Sequence, residues 1–291
     1  MSFLSSLVNY QTVLKNMRMF LSVFQEDAVV KKTGALKVDF FNTFYAAAEL
    51  PIKISTEEVL CQFEIDEDFD VFLSLFSEAR QLEVREAYFP DVWDDSKKAS
   101  YLAELNQTIE KLYKLSPELF SALFMLLYKI YLFPSHKIYS RSYVKTWGLI
   151  FISPLVDKVE KIPISTQFFE GLVHEALHQY LYLESVVNAL FDMTEEETQQ
   201  PIFKGALTLR DRPREVSFHS LVITNMLIQL HIKDDNIVRA QQLLPAYQTA
   251  LTHFDNMVQD FRNANKPLLT ENGQAWLTML QETPWPAELV A

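Results

Sequence analysis

A chain of 291 residues with 49% hydrophobic and 13% aromatic residues can bury a sizeable core, which excludes global disorder. A net charge of −12 argues against nucleic-acid binding, which needs a basic surface to displace counterions from phosphate. The single cysteine, Cys61, excludes an intramolecular disulfide and a thiolate metal cluster, and the five glycines form no phosphate-binding loop.

Taken in chain order, most segments repeat at helical period. Residues 2–24 predict a helix, and the first twenty residues lack the basic stretch and clean apolar core of a signal peptide. A second helix is expected over 55–89, with Ser55 or Thr56 as its cap and a turn around Asp66–Asp68. "FPDVWDD" (89–95) is a break, and 96–115 is another amphipathic helix. Ser116-Pro117 then marks a helix start, from which an apolar helix is expected to run to Pro134. Its apolar run, Leu119 to Phe133, is interrupted by Ser121 and Lys129 and is too short to span a bilayer. No membrane partner is expected, and the protein is expected to be cytoplasmic.

From 136 to 153 the residues alternate and are rich in Tyr, Val, Ile and Trp, which predicts two short strands. Helix follows over about 166–192, a charged connector over 193–214, and helix again over 215–232. The last helices are expected over 236–261, with Pro245 as a kink, and over 268–281. The expected fold class is mainly α: one compact helical domain with a small β-hairpin or short sheet next to the 166–192 helix. The alternative partition is a helical N-terminal subdomain, 1–135, and a metal-binding catalytic part, 136–291.

That helix carries "GLVHEALHQY" (171–180), which contains His-Glu-x-x-His. Residues four apart share a helix face, so His174 and His178 can share one cation, with Glu175 beside them. The bland reading is two buried, hydrogen-bonded histidines and a stray glutamate. The third ligand cannot come from the same helix: Leu181 and Glu184 stand where a metzincin has Gly and His. "RDRPREVSFHSLVITNML" (211–228) offers Glu215 and His219, one turn apart. His136, His231 and His253 read better as solvated or core histidines. Arg210, Arg212 and Arg214 crowd the segment before His219. They read either as a solvated connector pairing with "TEEET" (194–198) or as a clamp for a carboxylate, which guanidinium grips with two prongs. Arg212 is the stiffest of them because Pro213 follows it.

His174-Glu175-x-x-His178, then Arg212-Pro213 followed by His219, then Leu269-Thr270 with Gly273, resembles the HExxH-type peptide β-hydroxylases over about 145–281. That resemblance implies an Fe(II)- and 2-oxoglutarate-dependent oxygenase that hydroxylates a side chain, the β-carbon of Asp by suggestion, in a ribosomally made precursor peptide. On matching positions it implies His174, His178 and His219 as iron ligands, Arg212 as the main contact for 2-oxoglutarate and Arg210 as a second one. One departure is Leu209-Arg210, closer to Arg212-Pro213 than the family's Trp-Arg pair. Glu175 is carried as a catalytic residue. The alternatives are a zinc metallopeptidase, with Glu175 as general base and Glu215 as third ligand, and a non-catalytic helical binding protein.

Overall fold

The computed structural model describes residues 8–24, 33–89, 93–135, 139–154, 162–194, 197, 201–204 and 211–290. By their packing, Val8–Tyr180 form one compact unit and the residues from Leu181 onward belong to another, so the division falls inside the helix that carries His174 and His178.

The first unit holds helices α1 (Tyr10–Phe24), α2 (Thr33–Ala47), α3 (Glu67–Ser74), α4 (Glu78–Tyr88), α5 (Asp95–Leu115) and α6 (Pro117–Met125). Four short strands accompany them: β1 (Leu60–Gln62), β2 (Lys129–Leu132), β3 (Ser140–Ser142) and β4 (Leu149–Ile152). They form one sheet in the order β1-β2-β4-β3, parallel except for the β3–β4 pair. The mainly helical class and its short sheet are as expected, and the two strands foreseen in 136–153 pair antiparallel.

Two local expectations need correction. The single helix expected over 55–89 is instead β1, α3 and α4. Asp66 is the reason for the second start: its side chain accepts from Phe69 N at 3.1 Å and caps α3. The apolar helix expected to reach Pro134 ends at Met125, and its remainder becomes β2. A strand buried on both faces is apolar without alternation, so it cannot be told from a buried helix by period. All four residues of β2 and of β4 are buried. Lys129 is tolerated in β2 because its ammonium bonds Asp66 at 2.8 Å and also Asp68, while the Tyr131 hydroxyl donates to Asp66. Around Phe151 of β4, the rings of Phe69, Phe72, Tyr88 and Tyr131 pack mainly edge-on or stacked at centroid distances of 4.8–6.1 Å.

Helix α7 (Ile164–Asn188) crosses from the first unit into the second. The second unit continues with the hairpin β5 (Pro201–Lys204) and β6 (Asp211–Pro213), then α8 (Arg214–Lys233), α9 (Ile237–Asn263), α10 (Glu271–Gln281) and α11 (Ala287–Val290). Helix α9 runs on through Pro245. No helix among the described residues is long and apolar enough to cross a membrane.

Candidate metal centre

Helix α7 has 25 residues, and its rows of residues four apart do different work. The row Gln167, Gly171, Glu175, Gln179 faces the β3–β4 segment. The Gln167 carbonyl accepts from the Tyr139 hydroxyl, and a Cβ on Gly171 would stand 3.4 Å from Ile152 Cγ2. Glu175 Oε2 accepts from Ser142 Oγ at 2.7 Å. Gln179, fully buried, accepts Trp147 Nε1 on its carbonyl at 3.0 Å and Gly148 N on Oε1 at 2.8 Å. Gly148 turns there with φ +89°, and a Cβ on it would meet the Phe41 ring at 2.4 Å, so only glycine suits this corner. The short helical turn at Val144–Thr146 is thereby tied to α7 at both of its flanks.

The neighbouring row places His174 and His178 side by side. Their Nε2 atoms are 3.2 Å apart, and their rings are tilted by 68° to each other. Two nitrogens bound to one ion at about 2.1 Å, with an angle near 100° between them, stand about 3.2 Å apart, so the spacing suits a shared cation. Glu175 Oε1 lies 3.8 Å from His174 Nε2, and the donor atoms of all three side chains fall within 4.8 Å of one another. His174, Glu175 and His178 therefore form a group that could hold a metal ion. Glu175 is wider of the histidines than they are of each other, and its other oxygen is engaged by Ser142. That places it beside the nitrogen pair, with one oxygen turned toward it. Its side chain is 4% exposed, which makes the Ser142 hydrogen bond costly to lose.

In the second unit α7 ends on Ala189, whose φ of +37° breaks the helix, and α10 holds this end. Thr270 Oγ1 donates to the Ala189 carbonyl at 2.6 Å and accepts from Gly273 N at 3.1 Å, capping α10. A Cβ on Gly273 would stand 2.0 Å from the Leu190 carbonyl oxygen, so the Leu-Thr-x-x-Gly segment lets two backbones meet where no side chain fits. Asn272 adds a bond to Glu184 Oε1 at 3.2 Å.

The remaining sequence candidates also lie here or beyond. His219 is buried on α8, 3.9 Å from Glu215 Oε1, and its ring centroid is 5.6 Å from that of Tyr182. Arg214 is buried: its guanidinium donates to the Glu197 carbonyl and lies 5.2 Å over the Phe261 ring. Burial pushes its pKa below the ordinary value. Arg214 thus joins the "TEEET" segment, and it does so through a backbone oxygen. Arg212 takes part in β6 opposite Phe203, with its side chain outside the described residues, and Arg210 and His136 lie outside them as well.

Sequence reasoning missed Ser142 and Gln179. Gln179 had a signal, since it is one turn beyond Glu175 on the same face. Ser142 had none, because it reaches α7 from 33 positions away. No protein-family model matches this chain, and no match among curated proteins was found.

Proposed function

We propose that the chain is an Fe(II)- and 2-oxoglutarate-dependent hydroxylase of a peptide side chain, with His174 and His178 as two of the metal ligands. The observation that carries the metal reading is the 3.2 Å spacing of the two Nε2 atoms beside a buried carboxylate. Histidine nitrogens suit iron, and a centre with few protein ligands leaves positions for a bidentate 2-oxo acid and for O₂. In this reading His219 is the third ligand and Arg212, with Arg210 as its second, grips the far carboxylate of 2-oxoglutarate. These three assignments rest on the resemblance of the Arg-Pro-x5-His and Leu-Thr-x-x-Gly segments to the HExxH-type hydroxylases. The substrate is a ribosomally made precursor peptide, with an Asp β-carbon as the favoured target.

Bound iron with 2-oxoglutarate supplies the oxidising power that turns a C–H into C–OH with O₂, releasing succinate and CO₂. The chain's own part is to hold His174 and His178 on one stiff helix and to keep the Glu175 carboxylate beside them. Anaerobic addition of Fe(II) and 2-oxoglutarate tests the reading. A metal-to-ligand absorption band, and succinate formation on admitting air, are expected. If neither develops, the hydroxylase reading fails.

A zinc peptidase is the second reading, favoured by a buried carboxylate beside the histidine pair, Glu175 Oε1 at 3.8 Å from His174 Nε2, as the candidate general base. Glu175→Gln separates the two. It removes peptide hydrolysis under the second reading and leaves the Fe(II)–2-oxoglutarate band under the first.

A further inference from the structure

We propose that Ser142 is a positioning residue for Glu175: its hydroxyl keeps the carboxylate beside the histidine pair and prevents it from joining the ion that His174 and His178 would bind. The inference rests on the metal reading above and adds a residue on a different element.

Three observations carry it. Glu175 is almost fully buried, and Ser142 Oγ donates to Oε2 at 2.7 Å, a short bond to an ionisable group. The other oxygen, Oε1, stands 3.8 Å from His174 Nε2, outside hydrogen-bond range and wider than the 3.2 Å between the two nitrogens. Ser142 is itself fixed from two sides. It pairs with Ile150 in the β3–β4 ladder, and the turn that follows it is bound back to α7 through Trp147 and Gly148 on Gln179. Since Gln179 is one helical turn from Glu175, the segment 142–148 is registered on the same face that presents the carboxylate. Sheet, turn and helix thus determine where the Ser142 hydroxyl sits, and the hydroxyl determines where the carboxylate sits.

A buried carboxylate that loses its donor will seek the nearest positive charge. Without Ser142, Glu175 is free to close on a bound cation as an extra ligand. The test uses the full-length chain stripped of metal and titrated with Co(II) alone, followed by its d–d absorption. Wild type is expected to bind one equivalent. Ser142→Ala is expected to bind Co(II) at least about threefold more tightly, with a shifted d–d spectrum, and Ser142→Thr, which keeps the hydroxyl, to match wild type. In a Glu175→Ala background, Ser142→Ala is expected to change nothing further, because its effect passes through Glu175. A Ser142→Ala affinity equal to or weaker than wild type overturns the proposal, as does the same gain in the Glu175→Ala background. Absence of Co(II) binding by wild type would instead overturn the metal reading on which it stands. Circular-dichroism melts of each variant separate loss of fold from loss of binding.

Discussion

Asp66 shows how much one side chain can fix. It caps α3, receives the Lys129 ammonium and takes the Tyr131 hydroxyl. Burial acts to raise its pKa, but the Lys129 and Tyr131 hydrogen bonds and the Phe69 amide together hold it below the ordinary carboxylate value. A carboxyl whose pKa is depressed in the folded state stabilises the fold above its unfolded pKa, near 3.8, and that contribution is lost as pH falls through the folded pKa. Asp66→Asn is therefore expected to cost about 1.5–3 kcal/mol at pH 7, the range for a charge-assisted hydrogen bond, with the gap narrowing as pH falls below 3.8 through the lowered folded pKa. Urea unfolding of both proteins over a pH series descending from about 7 checks it, and a gap that stays constant until the fold itself is lost would show that the charge is irrelevant. Among residues, the histidine pair was legible because i, i+4 spacing is local. The Ser142–Glu175 bond was not, since contact across 33 positions leaves no trace in spacing.

At the scale of elements, legibility followed the same division. Some helices were foreseen, namely α6 from Ser116-Pro117, α8 within a residue of its expected ends and α7 within a few, whereas α2 and the separate starts of α3 and α4 were not. The strands β1 and β2 were missed because each has parallel partners only, and such strands are apolar throughout or too short to alternate. The Leu-Thr-x-x-Gly segment was noticed as a pattern, yet its physical sense emerges only from packing, with Thr270, the cap of α10, and Gly273 within it gripping the end of α7. Gly273→Ala is expected to destabilise the protein by about 1–3 kcal/mol, the cost of forcing atoms into a filled space, because the new methyl would meet the Leu190 carbonyl at 2.0 Å. Thermal denaturation measures this, and an unchanged midpoint would mean that the two backbones separate freely. Arg214 carries a similar lesson. Three arginines in five residues suggested a clamp, but this one is used to stitch Glu197 and Phe261 to the start of α8.

For the whole molecule, the mainly helical fold with a short sheet beside α7 followed from scarce glycine and sustained helical period. Which residues complete a metal centre is a matter of long-range placement, so the sequence could nominate His219, Glu215, Arg212 and Arg210 only by pattern. The acidic chain, at −12, raises the local concentration of cations around it, which favours metal uptake without selecting the ion. Selection must come from the donors, and two histidine nitrogens 3.2 Å apart are donors for a transition metal, not for calcium or magnesium. The most direct test is the metal content of protein purified without chelator, read by inductively coupled plasma mass spectrometry for wild type and for His178→Ala. About one equivalent of iron or zinc per wild-type chain is predicted, falling below about a tenth in the variant while its circular dichroism stays native. Metal-free wild type, or equal metal in both proteins, would contradict the account.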